Sequence, residues 1–132
     1  MATVTKFEEL EIWQQARILS NVIFALTLRE PFCKDFKLRD QINEASGSVM
    51  DNIAEGFERG SRLEFVNFLG YSKGSCGEVK SQLYRAIDRD YISKPEFNQC
   101  YEMSNRIAAG ISKLIEYLNK TNVRGLKFKD RI

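Results

Sequence analysis

The chain has 132 residues, 43% of them hydrophobic and 29% charged, with two prolines and no histidine. That composition excludes extended disorder and fits one domain around one core. Without histidine there is no imidazole base, no Ser-His or Cys-His nucleophile pair and no imidazole ligand for zinc. The formal charge of +2 is unevenly placed: residues 120–132 carry five basic and one acidic side chain, leaving residues 1–119 with fifteen basic and seventeen acidic.

Apolar residues recur at helical spacing in four blocks, and no run of strand composition alternates at period two. The expected fold class is all-α, an antiparallel up-down-up-down four-helix bundle over residues 1–119 with a basic C-terminal tail over 120–132. In the first block, over about residues 8–28, Ile12, Ala16, Leu19, Ile23 and Leu26 share one stripe, and Pro31 lies just beyond. Its run Val22-Ile23-Phe24-Ala25-Leu26 is apolar on all sides, which points to a second buried face.

The second block, about residues 38–58, aligns Leu38, Ile42, Ala45, Val49, Ile53 and Gly56, with Gly60 as its stop. The third opens on the capping box Ser61-Arg62-Leu63-Glu64 and carries Phe65, Leu69, Ser72, Cys76, Val79, Leu83 and Ala86 inward. Gly70, Gly74 and Gly77 each cost this helix about 1 kcal/mol relative to alanine. Close approach of another backbone, from the same bundle or from another subunit, would offset that cost. The fourth block opens on a second capping box, Ser93-Lys94-Pro95-Glu96, with proline expected at the first helical position. Phe97, Cys100, Ser104, Ile107, Ile111, Leu114 and Leu118 form its seam.

Four polar residues of the second helix, Gln41, Ser48, Asn52 and Glu55, share one side of it. They read either as a structural hydrogen-bond network that fixes register, or as a small polar pocket or nucleic-acid contact. Positive charge for phosphates is offered by Arg59, Arg62, Lys73 and Lys80 beside the third helix, whose N-terminus can itself attract an anion. The tail adds Lys120, Arg124, Lys127, Lys129 and Arg131, with Phe128 between two lysines.

Glu55, Glu64 and Glu78 supply oxygen ligands but no Glu-x-x-His motif, so no metal and no cofactor are expected. Cys76 and Cys100 fall on core stripes and Cys33 in a loop, with no Cys-x-x-Cys spacing. The N-terminal residues lack the charged and apolar regions of a signal peptide, and the longest apolar stretch, Ile18 to Leu28, is too short to span a bilayer. A soluble, cytoplasmic, non-enzymatic protein without a small-molecule substrate is expected.

The segments Phe7-Glu8-Glu9-Leu10-Glu11-Ile12-Trp13-Gln14-Gln15-Ala16, Leu38-Arg39-Asp40-Gln41-Ile42, Ser48-Val49-Met50-Asp51-Asn52-Ile53-Ala54-Glu55-Gly56 and Gly74-Ser75-Cys76-Gly77-Glu78 carry a resemblance. Over about residues 7–118 the chain resembles the four-helix bundle family of proteins encoded in intervening sequences of 23S ribosomal RNA genes, the S23-like family. The resemblance implies a bacterial antiparallel bundle assembled into a ring-like homopentamer without enzymatic activity. A related branch, the accessory variability proteins of diversity-generating retroelements, engages RNA and a reverse transcriptase through a basic pentamer surface. Two functions are therefore expected: an oligomeric bundle that binds RNA or a ribonucleoprotein through charge multiplied by assembly, or a protein-scaffolding oligomer with no nucleic-acid role.

Overall fold

The computed structural model describes residues 4–120. Four long helices account for most of them: α1 (Glu11–Thr27), α2 (Phe36–Glu58), α3 (Arg62–Asp88) and α4 (Lys94–Lys120). Single 3-10 turns at Phe7–Glu9 and Phe32–Lys34 lead into α1 and α2, and there is no β-strand among the described residues. Lys120, expected to open the tail, instead completes the last turn of α4.

Local chemistry sets each helix start. The Glu9 carboxylate accepts from the backbone N–H of Thr5 (2.9 Å) and of Lys6 (3.3 Å), tying the 3-10 turn that delays α1 to Glu11. Asp35 begins α2 earlier than Leu38 by accepting from the Leu38 N–H at 3.2 Å. Ser61 caps α3 through the Glu64 N–H, but the expected capping box is only half made, because the Glu64 carboxylate turns to Arg59. At α4 the box is complete: Ser93 Oγ accepts from the Glu96 N–H and Glu96 Oε1 accepts from the Ser93 N–H. Pro95 is the second residue of this helix rather than the first, a position whose N–H also has no intrahelical acceptor.

Helix ends are equally specific. Gly60, at φ 78°, takes the left-handed conformation that stops α2. After α3 that role falls to Asp90 at φ 60°, with Asp90 N–H donating to the Ile87 carbonyl and Tyr91 N–H to the Ala86 carbonyl. This is the paired bonding of a Schellman motif.

Residues late in one helix meet residues early in its neighbour. Asn43 donates to Thr27 Oγ1, Arg85 to Gln41, and Lys80 to Asn105. Arg29, just past α1, grips Glu96 in the first turn of α4. Neighbouring helices therefore run antiparallel, and α4 returns along α1.

The core is the sum of the four stripes. Every residue predicted to face inward is buried except Leu114, which is half-buried. Burying each large aliphatic or aromatic member contributes about 1.5–3 kcal/mol. Two glycines permit close helix contacts. A Cβ on Gly56 would lie 2.6 Å from Phe68 Cβ, and one on Gly110 would lie 2.8 Å from Ile12 Cγ2. The glycines expected to allow close approach of another backbone, Gly70, Gly74 and Gly77, have nothing among the described residues within 4 Å of where a Cβ would stand. No neighbouring helix of this bundle approaches them.

Candidate nucleic-acid interface and assembly faces

The basic residues beside α3 differ sharply in what they are free to do. Arg59 donates to Glu55 Oε2 at 2.8 Å and to Glu64 Oε1 at 3.1 Å, while its guanidinium lies 4.9 Å from the Phe68 ring centroid. Its pKa is raised, first by the hydrogen bond to Glu55. Arg59 is thus a clasp between α2 and α3 with its charge already neutralised. Arg62 and Lys73 are exposed and have no partner among the described residues. Lys80 is half-buried, donates to Asn105 Oδ1 at 2.9 Å, and sits 5.4 Å from the Tyr101 ring centroid. Lys120 approaches Glu116 at 3.9 Å. Arg124, Lys127, Lys129 and Arg131 lie outside the described residues.

The polar residues of α2 separate rather than form one network. Gln41 Oε1 accepts from Arg85 at 3.1 Å, Asn52 donates to the carbonyl of Ser48 on its own helix, and Glu55 belongs to the Arg59 clasp. Gln41 and Ser48 share a cleft of about 220 Å³ between α2 and α3 with Glu44, Ala45, Glu78 and Gln82. Sequence reasoning missed the α3 half of this cleft, because nothing in the spacing of Glu78 and Gln82 says which helix they face.

The sequence also left unassigned a polar cluster at the end of the α2–α3 pair away from the Arg59 clasp. Asp35 accepts from Tyr91 Oη at 2.8 Å and from Arg89 at 2.9 Å, besides capping α2. These bonds, led by that from Tyr91, hold its carboxyl below the usual range. Nearby, the two nitrogens of Arg29 meet the two oxygens of Glu96 at 2.7 and 2.8 Å. With Arg29 as the main cause, the Glu96 carboxyl is lowered to about 2. Both clusters fasten helix ends.

Several carboxylates and two thiols among the described residues are otherwise engaged. No group of three or more His, Cys, Asp or Glu is arranged to hold a metal among them, and Glu55 and Glu64 converge on Arg59 instead. Burial pushes the thiols of Cys76 and Cys100 up to about 11, so they pack as small apolar groups. No helix among the described residues is long and apolar enough to cross a membrane.

What stands open instead is surface. Ile18, Phe24 and Leu28 of the α1 segment are each more than half exposed, as is Phe36 at the start of α2. Ile18 also lines an open groove of about 440 Å³ between α1 and α4, with Gln15, Gln99, Glu102, Met103 and Arg106. The second face of α1 expected to be buried is therefore not covered by the other helices among the described residues.

The described residues define an all-α four-helix bundle. The chain belongs to the 23S rRNA-intervening sequence protein family, whose profile matches residues 8–113. Among solved structures it is similar to a protein of unknown function from the S23 ribosomal protein family of Bacteroides thetaiotaomicron. The two superpose with a TM-score of 0.73 at 20% identity, covering 80% of this chain and 95% of the other. No curated protein matches.

Proposed function

We propose that this protein is a non-enzymatic homo-oligomer, pentameric as the family resemblance implies, whose assembled surface binds RNA or a ribonucleoprotein. The observation that carries the reading is uncovered surface: the exposed apolar side chains Ile18, Phe24 and Leu28 on the outer side of the α1 segment, and the open glycine stripe of α3. Such faces in a water-soluble bundle are accounted for when another subunit covers them. Arg62 and Lys73, free of carboxylate partners among the described residues, then repeat once per subunit. A protomer of modest charge gains a multivalent phosphate-binding surface by assembly.

Binding of a labelled RNA across a salt series tests this directly. Contacts to several phosphates give a steep fall of affinity with salt, and Arg62→Gln with Lys73→Gln should flatten it. Affinity that barely changes between low and moderate salt contradicts phosphate contacts. The neutralised Arg59 and the acidic balance of residues 1–119 favour the second reading, a protein scaffold. Under that reading, a pulldown returns one protein partner and no RNA.

A further inference from the structure

We propose that the α3–α4 seam at Tyr84 is a stacking platform for an unpaired base of single-stranded nucleic acid, an inference that rests on the RNA reading above. Tyr84 lies beside the core stripe of α3, next to buried Leu83, and is 51% exposed. A tyrosine left to solvent is ordinarily mobile, but this ring is fixed from behind. Its centroid is 4.9 Å from that of Phe97 and 5.9 Å from that of Tyr101, and Phe97 and Tyr101 stack on each other at 5.4 Å. The result is an aromatic surface ordered before any ligand arrives, so stacking on it costs little further ordering.

The groups around the ring suit a nucleotide. One turn before Tyr84, the Lys80 ammonium stands 5.4 Å from the Tyr101 centroid and donates to Asn105 Oδ1 at 2.9 Å. With Oδ1 so engaged, the Asn105 side-chain NH₂ remains available to a base edge. Lys73 lies on the same face of α3, about 10 Å further along the axis from Lys80. Neither lysine is paired with a carboxylate among the described residues. A rigid aromatic face, two cations along one line and an amide beside them make the combination by which proteins hold single strands through stacking and backbone charge. A double helix keeps its bases stacked inside and offers this surface only phosphates.

The test uses the full chain and fluorescein-labelled oligouridylate and oligoadenylate of about twelve nucleotides, with a blunt RNA duplex of similar length in parallel. Tyr84→Leu is expected to weaken single-strand binding roughly tenfold, leave duplex binding unchanged and keep the salt slope of the wild type. Tyr84→Phe, which keeps the ring, should bind as the wild type does, and thermal melting reports whether each variant is folded. If the wild type binds and Tyr84→Leu binds the single strand equally well, the platform is overturned while the RNA reading stands. If both variants lose the same factor on single strand and duplex, the ring contributes no stacking and the platform is overturned. If the wild type binds neither RNA, both the platform and the reading beneath it fall.

Discussion

Ser72 of α3 donates its hydroxyl to the backbone carbonyl of Val49 on α2 at 2.6 Å, and neither residue is exposed. A serine on an apolar stripe thereby becomes a cross-helix tie in the middle of the tightest helix pair. Ser72→Ala removes the donor and almost no volume, while the Val49 carbonyl keeps its place in the α2 ladder. The expected loss is about 1 kcal/mol of unfolding free energy, read as a lower urea midpoint with an unchanged slope.

The α2 glycine packed against α3 and the open glycines of α3 should respond in opposite ways. Gly56→Ala puts a methyl group 2.6 Å from Phe68 Cβ and 3.2 Å from Phe65 Cδ1, so α3 must move. The overpacking is expected to cost about 1–3 kcal/mol, visible as a lower melting temperature. Gly70, Gly74 and Gly77 have no such neighbours, and alanine at each raises helix stability by up to about 1 kcal/mol in an isolated protomer. If another subunit packs closely on this face, the triple alanine variant is instead smaller by light scattering than the wild type.

Acid sensitivity should trace to Glu96. Its carboxyl, ordinarily near 4.5, is held to about 2 by Arg29 and the Ser93 N–H. A folded pKa below the unfolded one means this stabilisation is fully present above about pH 4.5 and is lost as pH falls toward about 2. Glu96→Gln keeps a capping-box side chain but cannot titrate. Its stability should fall less steeply than that of the wild type between about pH 5 and pH 2.5, measured by denaturant melts at each pH. Asp35, also lowered, leaves a residual slope in both proteins.

The α2–α3 cleft carries one buried acceptor without a partner among the described residues, Gln82 Oε1. Gln82→Met keeps the length of the side chain and removes that polar atom. Stability is expected to rise by about 1 kcal/mol, measured by the urea midpoint.

The helices and their inward faces were legible in the sequence because period 3.6 is a local property. Ile12, Ala16, Leu19, Ile23 and Leu26 had to share a face wherever their helix was packed. Caps built from adjacent residues, such as Ser93 with Glu96, were equally legible. What the sequence did not carry was the choice of partner across helices. Arg59 reads as a free phosphate ligand until Glu55 and Glu64 are seen to converge on it. Asp35 reads as a loop residue until Tyr91 and Arg89, more than fifty positions away, reach it. Within the bundle, Gly56 and Gly110 rather than the triplet on α3 are the sites of close approach, since glycine spacing gives no direction to a neighbour.

On the proposed function, another subunit covers the open surfaces of α1 and α3 and the assembly carries RNA. Size-exclusion chromatography with light scattering, on protein purified without nuclease and followed at 260 and 280 nm, tests it in one run. The expected result is a single peak several times the 15.3 kDa protomer mass, five-fold on the family resemblance, with excess absorbance at 260 nm. A clean 15.3 kDa monomer without nucleic acid would contradict it.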